Sequence, residues 1–135
     1  HHMKIMVGYY GLDPDSSVIA AALTQAKAFN ATVYLVKSVE IGEEVPKEDF
    51  DTAEENLKKG ERLFADQDIE CVTHLIETGL TPGENLVEFA KENNMDELII
   101  GVKNRSRMGK LIFGSTAQYL ILNSPCPVLS VREEE

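Results

Sequence analysis

Short apolar runs alternate along this chain with longer segments whose apolar residues recur at helical spacing. Ile5-Met6-Val7-Gly8-Tyr9, behind Lys4, shows no polar alternation and predicts a strand buried on both faces. Gly11-Leu12-Asp13-Pro14-Asp15 is a turn, and Asp15 or Ser16 can cap the helix that follows. Over residues 17–29, Val18, Ala21, Ala22, Leu23, Ala26 and Phe29 form one face of an alanine-rich amphipathic helix, ended by Asn30-Ala31. Residues 32–36 are β-branched and aromatic, a second strand. After a polar loop with Gly42 and Pro46, residues 48–68 predict a long charged helix with a partial stripe of Phe50, Ala53, Leu57, Leu63 and Phe64. Its charge run, like Glu43, Glu44, Glu48 and Asp49 before it, reads as a solvated surface. Residues 69–77 suggest a third strand.

Pro82 then sits near the first turn of a helix carrying Leu86, Val87, Phe89 and Ala90, stopped by Asn93-Asn94. Leu98-Ile99-Ile100 is a fourth buried strand, ended by Gly101. Residues 102–113 are a basic loop, and Gly114-Ser115-Thr116 opens a helix through Ala117, Leu120, Ile121 and Leu122. Pro127-Val128-Leu129-Ser130-Val131 is the last strand, and Glu133, Glu134 and Glu135 are an acidic tail.

Strands alternating with helices, in apolar runs this short, imply a three-layer α/β fold: a doubly wound, five-stranded parallel sheet with helices on both faces. Such sheets bind ligands beyond the carboxyl ends of their strands, where the strand order reverses. The ends of the first and fourth strands are therefore the expected crevice. The length of 135 residues suits one domain, taken as 4–132, with His1 and His2 read as a tag remnant.

Composition narrows the function. A formal net charge of −10 argues against a nucleic-acid partner. No apolar run reaches the ~20 residues of a membrane span, and the expected location is the cytoplasm. Cys71 and Cys126 belong to no Cys-x-x-Cys pair and read as small buried hydrophobes. His74 has the wrong strand parity to share the face of Cys71 and reads as a surface or edge histidine. Asp13 and Asp15 suit a turn better than a metal, and the expected metal set is empty.

Against that acidic background, Lys103, Arg105, Arg107 and Lys110 fall in one window with no acid among them. A phosphate accounts for the reversal. Gly101 permits close backbone approach, and Gly114, Ser115 and Thr116 stand at a helix start, where free N–H groups and the helix dipole attract an anion. Lys103, Arg105 or Arg107 would add charge-assisted contacts, and Met108 would pack on a ligand or partner. A solvated loop pairing with acidic surfaces has the same composition, and glycine with serine at a helix start also serves as an ordinary cap.

Gly101-x2-Asn104-x9-Gly114-Ser115 resembles the nucleotide signature of the universal stress protein family, Gly-x2-Gly-x9-Gly-(Ser/Thr). Arg105-Ser106, Gly109-Lys110, Phe113 to Gln118, Cys126-Pro127-Val128-Leu129 and the opening Ile5-Met6-Val7-Gly8 strand resemble the family too. The resemblance implies a flavodoxin-like fold, akin to the adenine nucleotide alpha hydrolases, with strand order 3-2-1-4-5. It implies a nucleotide site of ATP or AMP, with or without magnesium. Ile100, Gly101, Asn104, Gly114, Ser115, Thr116 and Ala117 would surround ribose and phosphates, and Gly8, Tyr9, Tyr10 and Ser38 the base. It also implies a homodimer through Pro127, Val128, Leu129, Ser130 and Val131. Two positions depart from the family pattern. Asn104 replaces the second glycine, and Tyr10 stands where an adenine-reading aspartate is usual.

The function expected is a regulatory module that binds an adenine nucleotide and alters a dimer surface or a protein partner contact. Any hydrolysis would be slow, since no catalytic base is readable. The alternative is a nucleotide-free dimeric interaction protein on the same fold.

Overall fold

The computed structural model describes residues 1–9, 17–40, 47–78, 80–103 and 114–133. Strands and helices alternate along them: β1 (Lys4–Tyr9), α1 (Ser17–Phe29), β2 (Thr32–Glu40), α2 (Lys47–Ala65), β3 (Cys71–Thr78), α3 (Pro82–Glu92), β4 (Glu97–Lys103), α4 (Ser115–Asn123) and β5 (Val128–Glu133). The strands form one sheet in the order β3-β2-β1-β4-β5, and every pairing is parallel.

The unbroken apolar run of β1 follows from this position. Successive side chains point to opposite faces, and both faces are covered. Ile5 and Val7 enter a core with Val18, Ala22, Leu57 and Phe64 of α1 and α2. Met6 enters a second core with Leu86, Ala90 and Leu120 of α3 and α4. The helices therefore pair as α1 with α2 on one side and α3 with α4 on the other, the three-layer arrangement expected from the alternation.

Three helices end on the same turn. Asn30, Asp68 and Asn94 have φ of 51°, 59° and 52°. The following N–H groups reach back five residues, Ala31 to Ala26 O, Ile69 to Phe64 O and Met95 to Ala90 O, each at 3.0 Å. This left-handed cap usually takes glycine; short polar side chains tolerate it better than other residues. Ala31, Ile69 and Met95 are buried, so the chain is anchored in a core before the next strand begins.

The same turn corrects two boundaries: α2 stops at Ala65 and β3 starts at Cys71, because residues 66–69 make the reversal. Two strands are longer than their apolar runs. β2 passes Val36 to reach Glu40, held by pairing with β3 up to Glu40↔Thr78. β4 does not end at Gly101, because Gly101, Val102 and Lys103 pair with Val131, Arg132 and Glu133. β5 accordingly begins at Val128 and takes in Glu133, the first residue assigned to the tail.

Candidate functional site

Among the described residues, the ladder between β1 and β4 ends at Val7↔Ile99. β1 goes on beside β2 to Tyr9↔Lys37, and β4 goes on beside β5 to Lys103↔Glu133. The two halves of the sheet thus lose their mutual hydrogen bonds beyond Val7 and Ile99, where the strand order reverses. One lip of this opening carries Gly8 and Tyr9. The other carries Ile100, Gly101, Val102 and Lys103. A Cβ on Gly8 would sit 3.4 Å from Leu86 Cδ1, ordinary contact, so packing alone does not demand glycine there.

The helices whose N-termini stand on this face start differently. α3 is closed by Thr81, whose Oγ1 accepts from Glu84 N at 3.3 Å and donates to Glu84 Oε1 at 2.8 Å. α4 has Gly114 at its cap position and no side-chain cap hydrogen bond. Gly114 has φ −65°, open to any residue, and among the described residues a Cβ there would meet nothing within 4 Å. Neither backbone strain nor packing against the described residues explains this glycine. It leaves the first amides of α4 uncovered by a side chain, where the helix dipole favours an anion.

A buried polar group stands near the carboxyl end of β2. Ser38 and Asn85 are 4% and 3% exposed. Asn85 Nδ2 donates to Ser38 Oγ at 3.0 Å and lies 3.4 Å from the Leu80 carbonyl, while Thr78 Oγ1 donates to Asn85 Oδ1 at 2.6 Å. On the opposite face of β2, burial pushes the Lys37 amine below the ordinary lysine range. Sequence reasoning missed Asn85 and Lys37. The available signals were a lysine directly after the apolar run 33–36 and an asparagine beside the apolar stripe of α3.

The predicted site residues fall into three groups. Gly8, Ile100 and Gly101 line the opening, and Ser115, Thr116 and Ala117 form the first turn of α4 behind Gly114, with Ala117 buried. Tyr9 and Lys103 are placed by their backbones at the strand ends. Tyr10, Asn104 and Arg105 lie outside the described residues, as do Asp13, Asp15, Glu43, Glu44, Arg107, Met108 and Lys110. Ser38 lies inside β2, two residues before its end, rather than at the strand end expected from the sequence.

His74 is exposed on the edge strand β3, its ring 5.0 Å from that of Phe89. Cys71 and Cys126 are free, half-buried thiols. Among the described residues no three His, Cys, Asp or Glu side chains are grouped to hold a metal ion, and no helix is long and apolar enough to cross a membrane.

Residues 2–132 match the family model described as the universal stress protein family. A universal stress protein of Methanocaldococcus jannaschii is 26% identical over 98% of this chain and 83% of its own length. A solved universal stress protein from Archaeoglobus fulgidus superposes with a TM-score of 0.83 at 29% identity, covering 99% of both chains. A second solved structure from that organism, a universal stress protein in complex with dAMP, gives a TM-score of 0.76 at 25% identity, covering 99% of this chain and 98% of that one.

Proposed function

The chain belongs to the universal stress protein family, and from that premise we propose that it is a regulatory module binding an adenine nucleotide in the opening between the ends of β1 and β4. The observation that carries this reading is the unexplained glycine at the start of α4. Gly114 leaves room and uncovered amides at the sheet's switch point, which suits a phosphate. The dAMP bound by the Archaeoglobus fulgidus relative supports an adenine nucleotide as the occupant.

In this reading the nucleotide's phosphates lie against Gly114, Ser115, Thr116 and Ala117, helped by Lys103 and Arg105. The ribose lies over Ile100, Gly101 and Asn104, and the base reaches toward Gly8, Tyr9, Tyr10 and Ser38. Residues on these lips bind and orient; none is positioned as a general base among the described residues, so occupancy rather than turnover is the signal. The protein acts in the cytoplasm as a homodimer. The edge strand β5, with Val128, Leu129 and Val131 half-buried and Ser130 exposed, together with the exposed Pro127 before it, supplies the surface through which two copies pair.

Chemical denaturation with and without AMP, dAMP and magnesium–ATP tests the proposal. A ligand that binds only the native state at 100 times its Kd adds about 2.7 kcal/mol. No change with millimolar AMP, dAMP or ATP, using protein verified free of co-purified nucleotide, returns the chain to the nucleotide-free interaction protein.

A further inference from the structure

The amino-terminal pole of the sheet holds a cavity of about 350 Å³, at the small end of the about 300–1,000 Å³ of small-molecule pockets. It lies where α1 and α2 end and where β2 and β3 begin. Thr32 lines it, and Thr32 and Ser38 are separated along β2 by about 20 Å at the rise of a strand. The cavity and the proposed nucleotide opening are therefore at opposite ends of the sheet.

Its charges are held apart. Lys27, in the last turn of α1, donates from Nζ to the neutral amide oxygen of Gln67 at 2.7 Å. Glu70 is tied to β2 twice: its carbonyl accepts from Val33 N at 2.9 Å, and its Oε2 accepts from Thr32 Oγ1 at 3.4 Å. Thr32 is itself 5% exposed. Asp68 is fixed in its left-handed turn. All three charged residues line one cavity, yet no ion pair joins Lys27 to Asp68 or Glu70. Opposite charges attract, and here the bonds to Gln67 and Thr32 keep them from closing on each other.

We infer that this cavity binds a small zwitterion, a free α-amino acid by chemical class, with its carboxylate toward Lys27 and its ammonium toward Glu70 and Asp68. For Lys27 the carboxylate replaces a neutral acceptor, and a bond between two charged groups is the stronger one. The ammonium enters between the carboxyl ends of α1 and α2, whose dipoles favour positive charge. Ala26, Ala31 and Ile69 are buried and line the same cavity, an apolar wall for the side chain of the ligand. A simple amine leaves Lys27 with its neutral partner, and a simple carboxylate meets two carboxylates of the protein. His2 is exposed and reaches Thr32 Oγ1 at 2.7 Å; in this reading it holds neither end of the ligand.

The test measures denaturation midpoints with L-alanine, L-glutamine, propylamine and propionate at matched ionic strength. The proteins are the wild type, Lys27→Met, Glu70→Gln and His2→Ala. Both amino acids should raise the wild-type midpoint, and neither half-ligand should match them. Lys27→Met and Glu70→Gln should each weaken amino-acid binding about tenfold, as loss of one charge-assisted hydrogen bond does. His2→Ala should bind as the wild type does. Amide resonances at residues 26–32 and 67–70 should move on titration. Lys27 and Glu70 are exposed, so both charge variants should fold, and their midpoints without ligand verify this.

No shift with either amino acid overturns the inference. So does an equal shift in the wild type and both charge variants, which is solute exclusion from the protein surface rather than binding. An equal response to propylamine or propionate makes the site one for a single charge and overturns it as well. Loss of the response in His2→Ala, or resonance changes confined to the opening at Gly8 and Gly101, does the same.

Discussion

A Cβ placed on Gly83 would lie 2.9 Å from Cδ1 of Tyr119 and 3.2 Å from its Cβ. Gly83 is in the first turn of α3 and Tyr119 is in α4, so the two helices are pressed together just behind the opening. The close atom is not only the mobile end of the ring. Its Cβ is involved too, and rotating the side chain does not relieve the contact.

Gly83→Ala should therefore move α4. Alanine is worth up to about 1 kcal/mol over glycine inside a helix, but overpacking costs typically 1–3 kcal/mol, and the expected net result is destabilisation. Because α4 carries the proposed phosphate site, AMP should bind more weakly as well. Urea unfolding and AMP titration check both; unchanged or raised stability would show that the helices part without cost.

Gly114 predicts the opposite pattern. With no neighbour within 4 Å among the described residues and an ordinary φ, Gly114→Ser should fold normally. Its hydroxyl can cap α4, adding a few tenths of a kcal/mol. The same hydroxyl takes amides that a phosphate needs, so AMP affinity should fall while stability rises. Gly114→Val should fold and exclude the phosphate. If both variants bind AMP as the wild type does, the start of α4 is not the phosphate site.

The alternation of runs made the fold legible because the central strands β1, β2 and β4 are covered on both faces and each helix on one. The strand ends were less legible. Lys37, Ser38 and Lys103 are polar, and they are held in strands by ladder hydrogen bonds that the apolar pattern does not encode. Gly101 reads as a terminator by composition, yet pairing with Val131 carries β4 through it. The start of α4 was readable from Gly114-Ser115-Thr116 because caps are local chemistry. Asn85 was not, because its partners Ser38 and Thr78 converge only once β2, β3 and α3 are packed.

The reversed turn at Asp68 gives a stability prediction independent of the site. Its φ of 59° lies in the left-handed region. A β-branched residue is a strained outlier there, so Asp68→Val should cost about 1–2 kcal/mol. Asp68→Gly removes the strain but frees the unfolded chain by a comparable amount, and should stay within about 0.5 kcal/mol of wild type. Urea midpoints with unchanged m-values read this directly. Equal stability of the valine variant would mean that the turn relaxes to another conformation.

Cys71 predicts a pH effect. Burial, reinforced by the negative charge of Glu61 and opposed by a hydrogen bond with the Leu35 backbone, pushes its thiol up to about 12. The unfolded thiol titrates near its ordinary value of about 8.5. The folded state thus holds the proton over a range in which the unfolded state has lost it. The contribution of this group to stability is complete below the unfolded value, declines as pH rises through the interval, and is gone above about 12. The thiolate is the reactive form, so at pH 8 Cys71 should react with a disulfide reagent far more slowly in the folded protein than in urea. Cys71→Val removes the group and should flatten that part of the stability decline above pH 9. A variant with the wild-type slope would assign the alkaline loss to other groups, and rapid native-state labelling confirmed at Cys71 by peptide mapping would show that the thiol is not shielded.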